Sequence, residues 1–234
     1  MVTTVASETV QFTSDTFTMK AFLAHPSRTQ APSPAILILH EWWGLNDHIK
    51  DIARRFADAG YVALALDLYS RLGSKVTKDP QEAASLMNAL SSQATLRDLN
   101  AATRYLKEQP FVDPLCLGIV GFCMGGTLAL TQATHNTDLK AAVIFYGKVP
   151  LLESLAKLVC PILYHYGAND SWVTKQEVDR LRQGLTEYGK PGDIAVYPNG
   201  EHAFFNDTRP EVYRKEEATQ AWQRTLQFFA DHMR

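Results

Sequence analysis

The chain has 234 residues, 46% of them hydrophobic, enough to fill the core of one large α/β domain, and a single domain over 1–234 is the expectation. Its 23 basic and 25 acidic residues give a formal net charge of −2, and the basic residues are scattered rather than grouped, which excludes the electrostatic footprint of a nucleic-acid binder. The N-terminal "MVTTVASETVQF" has neither a basic nor an apolar leader region, and the runs "AILIL" and "VALAL" are far too short to span a bilayer, so a soluble, cytoplasmic monomer is expected.

In chain order, "ETVQFTSDTFTMKAFLAHP" reads as an antiparallel edge hairpin and "SPAILILHEWW" as a buried strand. "NDHIKDIARRFADAG" follows with Ile49, Ile52, Ala53, Phe56 and Ala57 on one helical face, Asn46 or Asp47 as cap and Gly60 as stop. "YVALALDLY" is a second buried strand. Between 70 and 95 the rhythm breaks, and "DPQEAASLMNALSS" predicts an extra helix opened by Pro80. The helix "TLRDLNAATRYLKEQ" leads to the strand "LCLGIVGF", which turns at Cys123 into the helix "MGGTLALTQATH". The strands "AAVIFYG" and "PILYHYGAND" come next, then "TKQEVDRLRQGLTEYG", whose Thr174 and Glu177 form a capping box. "DIAVYPNG" and the terminal helix "ATQAWQRTLQFFADHM" complete an alternation that predicts a mostly parallel sheet with helices on both faces.

Three cysteines, with no C-x-x-C spacing, argue against a disulfide framework or a zinc site, and no metal or cofactor is expected. Cys116 and Cys160 lie in or beside apolar runs and read as small core residues. Cys123 is different. In "GFCMGG" the spacing G-x-C-x-G-G, strand before and helix after, matches the nucleophile elbow G-x-S-x-G with sulfur in place of oxygen. At a helix N-terminus a cysteine is also favoured as thiolate.

Ligands of open parallel sheets bind beyond the carboxyl ends of the strands, and four loops there carry reactive side chains: "HEWWGLN", "GFCMGG", "GANDSWV" and "NGEHAFF". Cys123, Asp170 and His202 follow the nucleophile, acid, histidine order of α/β-hydrolases. His202 is the histidine that follows the last strand, whereas His40 and His165 sit within strand runs as core candidates. Asp170 has a competing reading as the cap of a helix starting near Val173. The early-strand loop predicts an oxyanion hole made by the amides of Trp42 and Met124. Trp43, Tyr146, Trp172 and Phe204 are candidates for an apolar substrate wall.

With these loops in view, the chain resembles the dienelactone hydrolase (carboxymethylenebutenolidase) family of the α/β-hydrolase superfamily, through "HEWWGLN", "DLYSR", "GFCMGG", "GANDSWV" and "GEHAFF" in order. The resemblance implies an α/β-hydrolase fold, Cys123 as nucleophile, His202 as base, Asp170 as its orienting acid and Glu41 as a carboxylate that takes the thiol proton when substrate binds. It also implies Arg71, in "DLYSR", as a substrate contact. The family's type members grip a substrate carboxylate with two arginines, and here the likeness stops: Asn206 stands four residues after His202, and no arginine lies between Arg71 and Arg97.

The expected reaction is hydrolysis of an activated ester or lactone through a thioester intermediate. A thioesterase or cysteine peptidase would use the same three residues on another acyl group. A non-enzymatic thiol redox sensor would expose a reactive Cys123 without needing Asp170 and His202.

Overall fold

The computed structural model describes residues 4–28 and 31–233. Eight strands form one sheet in the order β1-β2-β4-β3-β5-β6-β7-β8. It is mostly parallel, with antiparallel strands at its N-terminal edge, as the alternation of elements predicts. By the density of its internal contacts the chain divides into two units, Met1–Gly118 and Ile119–Arg234.

In the first unit, β1 (Val5–Ser14) and β2 (Phe17–Pro26) form the expected hairpin, turning at Asp15, and β2 runs antiparallel to β4 (Val62–Leu66). Exposed and buried residues of β1 alternate from Thr9 to Ser14, the signature of a one-sided edge strand. By contrast β3 (Ser33–Leu39) and β4 pair in parallel and are buried almost throughout, which is why "AILIL" and "VALAL" lack alternation. Helix α1 (Asp47–Asp58) is capped by the Asn46 side chain, which accepts from the Ile49 N–H, and buries the five predicted apolar positions together with His48.

The 70–95 excursion contains a 3-10 turn (Ser70–Leu72) and α2 (Pro80–Asn88). It returns to the HEWWG loop, where the Thr77 N–H donates to the Trp43 carbonyl at 3.1 Å. Helix α3 (Ser92–Lys107) starts three residues before the sequence expectation because the Ser91 hydroxyl caps it through the Ala94 N–H.

The second unit carries the end of β5 (Val112–Phe122), then α4 (Met124–Gln132), β6 (Leu139–Phe145), a four-residue helix α5 (Leu152–Leu155) and β7 (Ile162–Gly167). Next come α6 (Lys175–Glu187), β8 (Gly192–Tyr197) and α7 (Lys215–His232). Strands β6, β7 and β8 pair in parallel, so the carboxyl ends of β6 and β7 and the turn after β8 open at one edge. The capping box of α6 forms as expected. Among the described residues, no helix is long and apolar enough to cross a membrane.

Candidate active site

Cys123 stands between β5 and α4 with φ 54° and ψ −116°, a conformation that strains any residue with a side chain. The turn is tight enough that a Cβ on Gly121 would lie 2.0 Å from the Gly125 carbonyl oxygen. The glycines of "GFCMGG" therefore let the strand end and the first helical turn touch each other. The Cys123 N–H donates to the Phe145 carbonyl at the end of β6, and its carbonyl accepts from the Thr127 N–H inside α4. Met124 opens the helix, where main-chain N–H groups point out of the N-terminus.

Asp170 and His202 are brought together by two turns in main-chain contact. A Cβ on Gly167 would lie 2.6 Å from Gly200, and the Asn169 N–H donates to the Gly200 carbonyl at 2.9 Å. His202 Nδ1 then lies 2.8 Å from Asp170 Oδ2. A carboxylate can only accept here, so Nδ1 carries a proton, and in the neutral ring the lone pair is on Nε2. The Asp170 carboxylate has no exposed surface, while the His202 side chain is 22% exposed.

The helix cap that competed for Asp170 is Thr174, with α6 starting at Lys175, and Asp170 has another duty. Its other oxygen, Oδ1, accepts from the N–H groups of Trp172 (2.7 Å) and Val173 (2.8 Å). One carboxylate thus makes both sets of contacts, Oδ1 closing the turn over Trp172 and Val173 and Oδ2 meeting His202.

The His202 ring is flanked edge-on by Tyr146 at 5.1 Å and by Trp172 at 4.9 Å. Phe204 packs behind Tyr146 at 5.7 Å, and both side chains are fully enclosed, whereas Trp172 keeps part of its surface open. Tyr146 (φ 42°) and Ala203 (φ 65°) join Cys123 among five non-glycine residues of positive φ in the described chain. Strain thus gathers around these three loops.

The residues expected from the first unit each occupy a defined place within it. Glu41 is buried, beside a fully buried His40. The Leu68 N–H donates to His40 Nε2 at 3.1 Å, which puts the His40 proton on Nδ1, 2.5 Å from the Glu41 carbonyl it donates to. Burial holds the His40 pKa below its ordinary value against the opposing pull of the Glu41 carbonyl and Asp67. The Tyr69 hydroxyl donates to the Trp42 carbonyl at 2.9 Å, so both carbonyls flanking the Trp42 amide are fixed. Trp42 and Trp43 meet edge-to-face and are half-buried.

Arg71 is committed inside the first unit. Its guanidinium donates to both oxygens of Asp98 at 2.8 and 2.9 Å and lies over the Phe17 ring. In the second unit, Asn206 is buried and its Oδ1 accepts from the N–H and hydroxyl of Thr208, while Arg209 pairs with Glu211. Cys116 and Cys160 are buried, and burial pushes the Cys160 thiol up to about 12. Among the described residues, no three His, Cys, Asp or Glu side chains gather as a metal site requires.

The sequence reading missed Lys148. Its ammonium reaches the Trp172 carbonyl and, at 3.1 Å, Glu177 Oε2. A lysine two residues past Tyr146, on a loop at the reactive edge, was the available signal.

Residues 19–233 match the sequence profile of the Dienelactone hydrolase family. The chain belongs to that family. Among its relatives, a Methylorubrum extorquens protein named "Putative carboxymethylenebutenolidase" is 35% identical over 224 residues, covering 91% of this chain and 76% of that protein. A Bradyrhizobium protein named "Probable 2-oxo-3-(5-oxofuran-2-ylidene)propanoate lactonase" is 31% identical, covering 98% of this chain and 96% of its own. A crystal structure described as a "Putative Dienelactone Hydrolase" from Klebsiella pneumoniae superposes with a TM-score of 0.92 at 32% identity, covering 97% of this chain and 99% of that one. This dienelactone hydrolase family member is accordingly a hydrolytic enzyme with the α/β-hydrolase fold.

Proposed function

We propose that the protein hydrolyses activated esters or lactones through Cys123, His202 and Asp170, by way of a thioester on Cys123. The observation that carries this reading is the 2.8 Å bond from His202 Nδ1 to a fully buried Asp170 carboxylate, which leaves Nε2 able to accept a proton. Tyr146, whose ring flanks His202, directly follows Phe145, whose carbonyl accepts from Cys123.

In the proposed reaction His202 Nε2 takes the thiol proton as Cys123 Sγ attacks the carbonyl carbon, while Asp170 stabilises the imidazolium. The tetrahedral oxyanion accepts hydrogen bonds from main-chain amides, that of Met124 and, by the sequence expectation, that of Trp42. Collapse breaks the ester C–O bond, and His202 returns the proton to the leaving oxygen. Water, deprotonated by the same Nε2, then attacks the thioester, and the Cys123 thiolate leaves as the acid forms. On the family likeness, Glu41 is proposed as the first acceptor of that same proton when substrate arrives, passing it on to His202 Nε2 before the leaving oxygen receives it. A thiolate leaves more readily than an alkoxide, so the route suits enol lactones and aryl esters, whose own leaving groups compete.

Trp172 offers a partly open aromatic face beside His202 for the substrate. With Arg71 held by Asp98 and Asn206 occupied by Thr208, a free substrate carboxylate is not a requirement in this reading. A panel of lactones and aryl esters, with and without a carboxylate, is therefore expected to vary little with that group. Cys123→Ala is expected to lower turnover of an aryl ester by about 10⁴-fold or more, and unchanged turnover would remove the nucleophile assignment.

A further inference from the structure

Lys148 lies on the loop between β6 and α5, three residues beyond Phe145, and binds in two directions. Its main-chain N–H donates to the Thr127 hydroxyl at 2.8 Å, and that hydroxyl is 3.4 Å from the Cys123 carbonyl, to which it donates. Its ammonium donates to the Trp172 carbonyl, pairs with Glu177 and lies 5.0 Å from the centre of the Trp172 ring.

Trp172 is consequently gripped on three sides. Its N–H is held by Asp170 Oδ1, its carbonyl by Lys148, and its ring lies in contact with both the ammonium and the edge of His202. Glu177 fixes the ammonium from behind: Oε2 also accepts from the N–H of Thr174 at 2.9 Å and its hydroxyl at 3.1 Å. An exposed ion pair alone would add little, but here the charge is aimed at a carbonyl and an indole that both adjoin the acid and base loops.

We infer that Lys148 is a positioning residue, which holds Trp172 against His202 and, through Thr127, keeps the Asp170 and His202 loops in register with the Cys123 turn. This rests on the proposed roles of those three residues. Lys148 touches no reacting atom. It acts by keeping the His202 ring between Tyr146 and Trp172, where its Nδ1–H stays on Asp170 and Nε2 keeps its direction. A small misplacement of a proton-transfer group is enough to slow chemistry without weakening binding.

The test measures kcat and KM on a 4-nitrophenyl ester together with the downfield proton resonance of the His202 Nδ1–H. Lys148→Met is expected to lower kcat about tenfold with KM within about twofold, and to broaden or shift that resonance. Lys148→Arg, which can still reach both carbonyl and carboxylate, is expected to restore most of both. In a Trp172→Phe background, which keeps the main-chain carbonyl but loses the indole, the same Lys148→Met change is expected to lower kcat by a clearly smaller factor than in the wild type.

A wild-type kcat and resonance in Lys148→Met would overturn the inference, as would an equal loss in both backgrounds. Should Lys148→Met fail to fold, Lys148→Gln keeps an N–H donor without the charge, and wild-type kcat and resonance there overturn it equally. The resonance also separates this inference from the reaction scheme. If Cys123→Ala retained turnover, the scheme would fall, while the His202 signal would still report on Lys148.

Discussion

Two histidines of the second unit have opposite surroundings. His165, on β7, is fully buried, with Nδ1 2.9 Å from the Tyr197 hydroxyl and Nε2 3.0 Å from the Thr225 hydroxyl. Burial, reinforced by Arg224, lowers its pKa to about 3. His202, in the turn beyond β8, is partly exposed and bonded to a carboxylate. Hydroxyl partners bind a neutral ring from either side and ask nothing of its charge, whereas a carboxylate partner stabilises the cation formed when the ring takes a proton. One ring ties β7, β8 and α7 together, and the other has the carboxylate partner that the proposed base needs. The cysteines differ in setting rather than in burial: both are buried, but burial holds Cys160 as a thiol, while Cys123 stands on a strained turn at the start of α4.

The largest way to break this comparison is Asp170→Asn. The amide keeps an oxygen for the Trp172 and Val173 N–H groups but removes the charge facing His202, so kcat on an aryl ester is expected to fall by about 10³- to 10⁴-fold with the fold retained. A fall below tenfold would put His202 in the same structural class as His165.

His165→Gln sharpens the other side. Leaving Tyr197 and Thr225 imperfectly paired is expected to reduce unfolding free energy in urea by about 1–3 kcal/mol while leaving kcat unchanged. The pH dependence follows with a definite sign. The folded pKa of about 3 lies below the ordinary 6.5, so the unfolded chain binds the proton more readily. The contribution of this group is full above pH 6.5 and is lost as pH falls towards 3. At pH 4.5 that loss is about 2–3 kcal/mol. The wild-type midpoint should therefore drop more steeply on acidification than that of His165→Gln, with His40 adding the same slope to both. Equal slopes would mean that His165 already carries its proton in the fold.

The smallest expected effect is on thiol chemistry. With its thiol pushed up to about 12, Cys160 carries negligible thiolate at pH 8, so Cys160→Ala is expected to leave the number and rate of alkylated thiols unchanged. Loss of a reacting thiol would erase the distinction between the two cysteines.

Most of the architecture was legible because its signals are local. The uninterrupted runs of β3 and β4, the Asn46 and Thr174 caps and the glycines around Cys123 all act within a few residues of their position. The pairing of Asp170 with His202 was readable from chain order, although 32 residues separate them. What stayed hidden depends on long-range partners. Nothing near Lys148 announces Glu177 or Trp172, and nothing in "DLYSR" announces Asp98, the side chain that occupies Arg71. The motif reads as a substrate element, and in the fold it also makes a bracket: Asp67 holds the Tyr69 N–H, Tyr69 the Trp42 carbonyl, and Ser70 the Lys20 N–H. The start of α3 at Ser92 was missed for a simpler reason, since the adjacent serines 91 and 92 offer more than one cap.

The contact between Gly167 and Gly200 bears on how this scaffold can be diversified. Because two stretches of main chain abut there, the spacing of Asp170 and His202 is written into loop length rather than side-chain choice. Grafting or lengthening either turn would part the pair even if both residues were kept. A library aimed at new substrates should hold 167–170 and 200–202 at their present length and draw its variation from side chains such as Trp172, which meet His202 without setting that spacing.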